Sequence, residues 1–453
     1  MDPSIFKAYD IRGTYPDQLN ADFSKQIGLG YASLIRSELQ VSTPKIVVGM
    51  DMRLSGPELK RSLIEGLTQG GCDVVDIGLA STPTFYFAVG HYGYDGGVQV
   101  SASHNPKEYN GFKLVRAKAV PISGDSGMYD LRDIVVKGNF SKIDKVGRVV
   151  EKKGVIDDLV ADQTKGVDLS SIKSFKVVVD PANAMGSICT SKLFEKLPCR
   201  LIKLNFELDG TFPSHEADPL KDKNNEQLIG KVLEEKADFG IAIDGDGDRV
   251  FVITEDGRIM SPSILRGVLA QMVLRKNPGS KIIYDIRPGK ITVDLIKEAG
   301  GIPLVTRVGH SLIKEKMIEE DSPFSGESSG HFFYKFDYGS FEAPVRMMVD
   351  FLTWLGESDK SLSERIKKYE RYFHSGEINS LVDDPDEKIN LIKSKYADGD
   401  VNEMDGVTVT FDDFWFNVRK SNTEPKLRFA LEAVSKELME EKREEILKVI
   451  RSN

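Results

Sequence analysis

Lys45-Ile-Val-Val-Gly-Met-Asp51 is an apolar, β-branched run that closes on an aspartate; Pro57-Glu-Leu-Lys-Arg-Ser-Leu-Ile-Glu-Gly-Leu67 and Val74-Val-Asp-Ile77 follow it. The outer pieces read as buried parallel strands and the middle one as a helix, which together make a βαβ unit. The same order recurs twice. Lys176-Val-Val-Val-Asp180 leads to Leu201-Ile-Lys-Leu204, and Lys281-Ile-Ile-Tyr-Asp285 leads through a helix over Lys290–Ala299 to Ile302-Pro-Leu-Val-Thr306. A unit repeated along a chain predicts related domains. The expected fold class is therefore α/β, with three related βαβ-containing, mixed-sheet domains. If they stand side by side, a central cleft lies where their polar loops meet.

From about Phe373 the pattern changes. Val407-Thr-Val-Thr-Phe411 alternates, Phe414-Trp-Phe-Asn-Val418 follows across Asp412-Asp413, and the chain closes with an amphipathic helix over Ser435–Arg451. These features predict a hairpin and a smaller C-terminal α+β domain. The expected domains are residues 1–148, 149–255, 256–370 and 371–453.

The totals agree with several domains, since 453 residues exceed what one core serves. The balance of 61 basic to 70 acidic residues gives no counterion-release drive toward nucleic acid, so an anionic ligand needs a local basic pocket. No apolar run of about 18 residues occurs, and the N-terminus lacks a signal peptide's apolar core. The expectation is a cytoplasmic protein with no membrane or nucleic-acid partner. The 3 cysteines, Cys72, Cys189 and Cys199, lack CxxC spacing and read as small buried apolar residues.

Each α/β unit carries an unusual polar loop. In the first, Val98-Gln-Val-Ser-Ala-Ser-His-Asn-Pro106 ends a strand in small polar residues and presents Ser103, with Pro106 blocking continuation; an ordinary turn would share this composition. In the second, Asp244-Gly-Asp246-Gly-Asp248-Arg249 sits between two apolar strands, and alternate carboxylates there can meet one hard cation such as Mg²⁺. Glu255 falls where a calcium EF-hand loop has its closing glutamate. The position that needs glycine holds Arg249, however, and the flanks read as strands. In the third, Ser325-Gly-Glu327-Ser-Ser329-Gly-His331 suits sugar hydroxyls, since a carboxylate accepts two O–H bonds; a polar turn fits as well.

Three further stretches hold candidates. Arg419-Lys-Ser421-Asn422-Thr423-Glu-Pro425-Lys-Leu-Arg428 joins two strands and can cradle a phosphate without a Walker loop, whose GxxxxGK[ST] pattern is absent. Tyr9-Asp-Ile-Arg12-Gly13 places a guanidinium beside a glycine, for a phosphate or for a surface salt bridge. His310 stands at a strand end, in a binding or a structural role.

Taken in order, Tyr9-Asp-Ile-Arg-Gly13, Ser-Ala-Ser-His-Asn-Pro106, Asp-Gly-Asp-Gly-Asp-Arg249, Gly-Glu-Ser-Ser-Gly-His331 and Arg-Lys-Ser-Asn-Thr-Glu-Pro425 make the chain resemble the α-D-phosphohexomutase superfamily, in its phosphomannomutase/phosphoglucomutase branch. The resemblance spans nearly the whole length. It implies an isomerase that interconverts hexose 1-phosphate and hexose 6-phosphate, of mannose or glucose, through a phosphoserine and a hexose 1,6-bisphosphate. Ser103 would be that phosphoserine, and Asp244, Asp246 and Asp248 would hold Mg²⁺ together with it. Arg12, His104, Lys113, Arg249 and His310 would assist, with Lys113, Arg12 and His310 the candidates for general base. Tyr9, Arg287, Glu327, Ser329 and His331 would meet the sugar, and Arg419, Ser421, Asn422, Thr423 and Arg428 the unreacting phosphate. A monomer or homodimer is expected.

Two departures fall where sugar specificity is expected: Arg287 where lysine is frequent, and Glu-Ser-Ser where Glu-Met-Ser is common. A phosphoglucosamine mutase is the nearest alternative, disfavoured by Tyr9-Asp-Ile-Arg12 and by Asn422. A Mg²⁺-dependent sugar-phosphate phosphatase is the alternative of another class, though a hydrolase needs no loop that holds a bisphosphate in two orientations.

Overall fold

The computed structural model describes residues 3–287, 289–420 and 426–452. The chain divides into two compact units. One comprises Met1–Met260, Met317–Glu319 and Ser329–Ser363, and the other Ser261–Lys316, Glu320–Ser328 and Glu364–Asn453.

In the first unit, six strands form one sheet: β1 (Ile11–Thr14), β2 (Lys45–Met50), β3 (Asp73–Leu79), β4 (Gly96–Val100), β5 (Tyr109–Arg116) and β6 (Val149–Glu151), in the order β1-β5-β4-β2-β3-β6. β2 pairs in parallel with β3 and β4, and β5 runs antiparallel to β4. Ile46, Val48, Val98 and Val100 are fully buried against Ile27, Tyr31, Leu59 and Leu63, which come from the helices Ala21–Leu39 and Gly56–Gln69. The first of these helices starts where Asn20 accepts from the Phe23 N–H.

β7 (Lys176–Asp180), β8 (Arg200–Lys203), β9 (Phe239–Ile243) and β10 (Val250–Thr254) form a second sheet in the order β10-β9-β7-β8. Here too the first strand lies in parallel between the second and third, and the fourth is antiparallel. In the other unit, β11 (Lys281–Asp285) lies in parallel between β12 (Ile302–Thr306) and β13 (Phe324–Gly326). β14 (Phe332–Phe336) and β15 (Gly339–Glu342) make an antiparallel hairpin within the first unit. The repeat read from the sequence is thus a repeat of topology. Ser103 follows β4, Asp244 follows β9 and Glu327 follows β13, each the third strand of its copy.

The C-terminal sheet comprises β16 (Phe373–His374), β17 (Ile378–Leu381), β18 (Asp400–Asn402), β19 (Val407–Thr410), β20 (Phe414–Lys420) and β21 (Lys426–Ala433). All its pairings are antiparallel. Phe416, Val418, Phe429 and Leu431 pack on Ile446 and Ile450 of the closing helix Lys436–Ile450.

Two expectations need correction. Residues 149–151 belong with the first sheet, because β6 pairs with β3; this edge strand is exposed along its whole length, so no apolar run marked it. Cys72 and Cys189 are buried as expected, but Cys199 is half-buried, and all three are free thiols. Among the described residues no helix is long and apolar enough to cross a membrane.

Candidate active site

Ser103 stands three residues past β4 with φ of 52°, a left-handed conformation that costs a non-glycine residue of order 1–3 kcal/mol. The surrounding bonds hold it there. Its N–H donates to Ser101 Oγ at 3.0 Å, and its hydroxyl lies 3.1 Å from His104 Nδ1 and donates to Asp244 Oδ2 at 3.2 Å. Burial, with Arg249 and Arg12 nearby, lowers the His104 pKa to about 2, so this imidazole is neutral at any physiological pH.

The acidic loop turns tightly because Gly247 takes φ of 78°. Gly245 permits the second close approach: a Cβ there would lie 2.4 Å from the Ser103 carbonyl oxygen. Asp244 Oδ1 accepts the N–H groups of Gly247, Asp248 and Arg249 at 3.0–3.1 Å, which fixes the turn and leaves Oδ2 facing Ser103. Asp246 Oδ2 accepts from Thr82 Oγ1 at 2.5 Å and Lys113 Nζ at 2.6 Å. Asp248 Oδ2 accepts from Lys113 at 3.0 Å, and Asp248 Oδ1 lies 3.1 Å from His331 Nε2.

All three carboxylates are buried, and one oxygen from each lies within 4.8 Å of the others. Among the described residues, Asp246 Oδ1 is buried with no hydrogen-bond partner, a costly arrangement for a carboxylate unless a cation meets it. Burial raises the pKa of Asp244, and the neighbouring Asp248 and Asp246 charges add to the effect. An oxygen-only donor set with excess negative charge suits Mg²⁺, so the residues present fit that ion.

Burial opposes the charge on Lys113, but Asp246 and Asp248 overcome it and its pKa lies well above the ordinary lysine value. Lys113 is thus a charge partner of Asp246 and Asp248, at 2.6 and 3.0 Å. Arg12 is half-buried, pairs with Asp10 at 2.7 Å and donates to Asn105 Oδ1 at 2.5 Å. The surface salt bridge left open by the sequence is thus joined by a bond to the loop that carries Ser103.

The third loop joins this cluster through its last residues. The Val250 N–H donates to the Gly330 carbonyl, Arg249 Nε donates to His331 Nε2 at 3.4 Å, and His331 Nδ1 lies 2.8 Å from Ser329 Oγ. Glu327 falls in the other unit, where the Gly309 N–H donates to its Oε1 at 3.0 Å and Arg287 Nη2 lies 3.1 Å away. Arg287 also donates to Asp285 Oδ2 at 2.5 Å. His310 opens the helix His310–Glu319 of that unit. Arg419 and Arg428 are adjacent across β20 and β21 and both reach Glu377, at 2.7 and 3.3 Å. Ser421, Asn422 and Thr423 lie outside the described residues. Tyr9 is half-buried, two residues before β1.

Several participants escaped the sequence reading. Thr82 reaches Asp246 because the helix Thr82–His91 begins there, and the Ser-Thr-Pro cap that starts it was the available signal. Glu342, fully buried on β15, offers a ligand atom within 4.8 Å of those of Asp248 and His331. The segment from Asn205 to Asn225 supplies the Ala217 carbonyl to the Gly245 N–H at 3.2 Å and Asp218 to Arg249 at 3.8 Å. Nothing in its composition marks it.

Four family profiles match the chain in order: Phosphoglucomutase/phosphomannomutase, alpha/beta/alpha domain I over residues 3–140, domain II over 156–257, domain III over 262–372, and the C-terminal domain over 377–449. A phosphomannomutase of Escherichia coli K12 is 37% identical over 440 residues, covering 95% of each chain. A phosphomannomutase/phosphoglucomutase of Pseudomonas aeruginosa is 37% identical over 446 residues, covering 96% of this chain and 93% of its own. The crystal structure of a phosphoglucomutase/phosphomannomutase family protein from Burkholderia thailandensis superposes with a TM-score of 0.91 at 33% identity, covering 100% of this chain and 99% of its own. With the ordered loops and the acidic cluster already described, these matches place the chain in the phosphoglucomutase/phosphomannomutase family, as a four-domain isomerase of the phosphohexomutase kind.

Proposed function

We propose that this phosphohexomutase interconverts the 1- and 6-phosphates of mannose and glucose by carrying a phosphoryl group on Ser103. The observation that supports it most strongly is the Ser103 hydroxyl at 3.2 Å from Asp244, in a buried carboxylate cluster that leaves Asp246 Oδ1 without a partner among the described residues. Asp244, Asp246 and Asp248 would hold Mg²⁺, whose charge offsets that developing on a transferred phosphoryl group.

In the forward direction the sugar O6 attacks phosphorus, the O6–P bond forms as the Ser103 Oγ–P bond breaks, and the O6 hydroxyl proton ends on Ser103 Oγ. The product is a hexose 1,6-bisphosphate, which turns over so that phosphorus on O1 returns to Oγ and the 6-phosphate departs. Lys113 and Arg249 stabilise the charge at the reacting phosphorus, and His104 orients the Ser103 hydroxyl. Arg12 holds Asn105 and with it the loop. Glu327 and Ser329 contact sugar hydroxyls, with Tyr9, Arg287, His331 and His310 beside them. Arg419, Arg428, Ser421, Asn422 and Thr423 take the unreacting phosphate. Domain limits near residues 148, 255 and 370, with the β6 strand added to the first domain, accompany this reading, as does a cytoplasmic enzyme activated by hexose 1,6-bisphosphate.

³¹P NMR tests it, with Mg²⁺, a trace of glucose 1,6-bisphosphate, and mannose 1-phosphate, glucose 1-phosphate or glucosamine 1-phosphate in separate samples. The 6-phosphate resonance appears first with mannose or glucose. Fastest conversion of the glucosamine ester makes the protein a phosphoglucosamine mutase, and inorganic phosphate without any 6-phosphate makes it a phosphatase.

A further inference from the structure

The loop that carries Ser103 turns four main-chain carbonyls toward one side chain. Arg53 Nη1 donates to Pro106 O at 2.7 Å and Tyr109 O at 2.9 Å, and Nη2 donates to Ser103 O at 2.8 Å and Asn105 O at 2.6 Å. Its Nε stands 3.3 Å from Asp51 Oδ2, and both side chains are fully buried. Both Nη1 and Nη2 use their two N–H groups, four donors in directions that an ammonium with three donors at one point cannot reproduce.

The Asn205–Asn225 segment seals the outer side. The Phe212 ring lies 5.1 Å from Arg53 Cζ, and Gly210 packs so closely that a Cβ would lie 2.9 Å from Arg53 Cα.

The third copy of the repeat uses the same device. Arg266 is fully buried, donates to Asp285 Oδ1 at 2.5 Å and to the Gly326 carbonyl at 3.2 Å, and Asp285 accepts from the Ser328 N–H and hydroxyl. In both copies the aspartate at the C-terminal end of the first strand, Asp51 just past β2 and Asp285 closing β11, pairs with a buried arginine, and the pair braces the polar loop after the third strand.

We propose that Arg53, anchored by Asp51, is the positioning residue of the nucleophile loop: through four carbonyls it holds Ser103 in its left-handed conformation facing the Asp244 carboxylate. The proposal rests on the reading of Ser103 as phosphoryl carrier. The Arg53 side chain is fully buried behind the loop, so its effect falls on the transfer step and leaves substrate affinity alone. A shift of the reacting oxygen by about 1 Å costs about 10²-fold in rate.

The test uses the full chain with Arg53→Lys, which keeps the charge opposite Asp51 and loses the fork, and Arg53→Ala assayed with and without added guanidinium. Asp51→Asn with Arg53→Gln removes both buried charges together and serves if a single variant does not fold. The expected result is a kcat about 10²-fold lower with KM for the sugar phosphate within about twofold, slower phosphoryl transfer from phospho-Ser103 in a single turnover, and partial recovery of Arg53→Ala by guanidinium but not by methylammonium. A folded variant with kcat within about twofold of the parent, or a thermal midpoint that falls while kcat of the folded enzyme holds, overturns the proposal. Ser103→Ala is the control. Mutase turnover surviving in it removes the Ser103 reading itself, whereas an inactive Ser103→Ala beside a fully active Arg53→Lys removes only the role of Arg53.

Discussion

The Ser103 hydroxyl donates to Asp244 Oδ2 at 3.2 Å across 141 residues of chain. That bond joins the loop after β4 to the loop after β9, and both loops occupy the same place in a repeated topology. The serine and the acidic cluster meet through loops that each follow the third strand of their copy.

Asp246→Asn tests the cation site. The substitution keeps the bond from Thr82 feasible but weakens the pairing with Lys113 and removes charge at the oxygen that has no partner. Activity falls at least about 10²-fold, and the rise in thermal midpoint that Mg²⁺ gives the parent disappears. A chelator abolishes parent activity, and Mg²⁺ restores it. Unchanged Mg²⁺ stabilisation in the variant contradicts the assignment of Asp246.

Gly245→Ala tests the closeness of the two loops. Its Cβ would lie 2.4 Å from the Ser103 carbonyl oxygen, well inside contact distance, and backbone on both sides must move apart. The variant folds, since the clash lies at a loop tip, and it loses about 10²-fold in kcat. Parent-like turnover shows that the loops have slack.

Glu327 offers a test in the other unit. Its carboxylate accepts the Gly309 N–H and stands 3.1 Å from Arg287, which fixes its place, and the proposed function has it contact sugar hydroxyls. Glu327→Gln weakens charge-assisted bonds worth roughly 1.5–3 kcal/mol, which lowers kcat/KM by about 10- to 100-fold without changing the Mg²⁺ requirement. An unchanged kcat/KM for every hexose phosphate removes Glu327 from the substrate site.

His215 sets a pH dependence of stability. Burial opposes its charge, yet Asp180 at 2.9 Å and the Glu216 carbonyl at 2.9 Å face its two ring nitrogens, and the pKa lies above the ordinary 6.5. The folded state therefore binds this proton more tightly than the unfolded chain. The stabilisation is complete below about pH 6.5 and is lost as pH rises through the raised pKa. In denaturant titrations, His215→Gln is less stable than the parent at about pH 6, and the gap narrows by about pH 9. An equal gap at both ends contradicts the clasp.

Much of this was legible from residue order. Strands ending at Asp51, Asp180 and Asp285, and the three loops that follow later, each carry a local pattern: an apolar run, then small polar residues at its tip. β6 was not legible, because two exposed valines before a glutamate are too short a run to mark a strand. Arg53 was missed for a different reason. Its four acceptors are main-chain carbonyls, which every sequence contains, so only the folded backbone reveals why a guanidinium stands there. The same holds for Ala217 and Asp218, whose roles come from where a long connection passes.

The measurement that bears most directly on the central claim is peptide mapping by mass spectrometry after incubation with glucose 1,6-bisphosphate, run beside a mutase assay of Ser103→Ala. The account predicts one phosphoryl group on the peptide that contains Ser103, passage of a ³²P label from that group into the hexose phosphate pool when unlabelled hexose 1-phosphate is added, and activity at least about 10³-fold lower in the variant. Phosphate on another residue, or a Ser103→Ala protein that turns over like the parent, would contradict it.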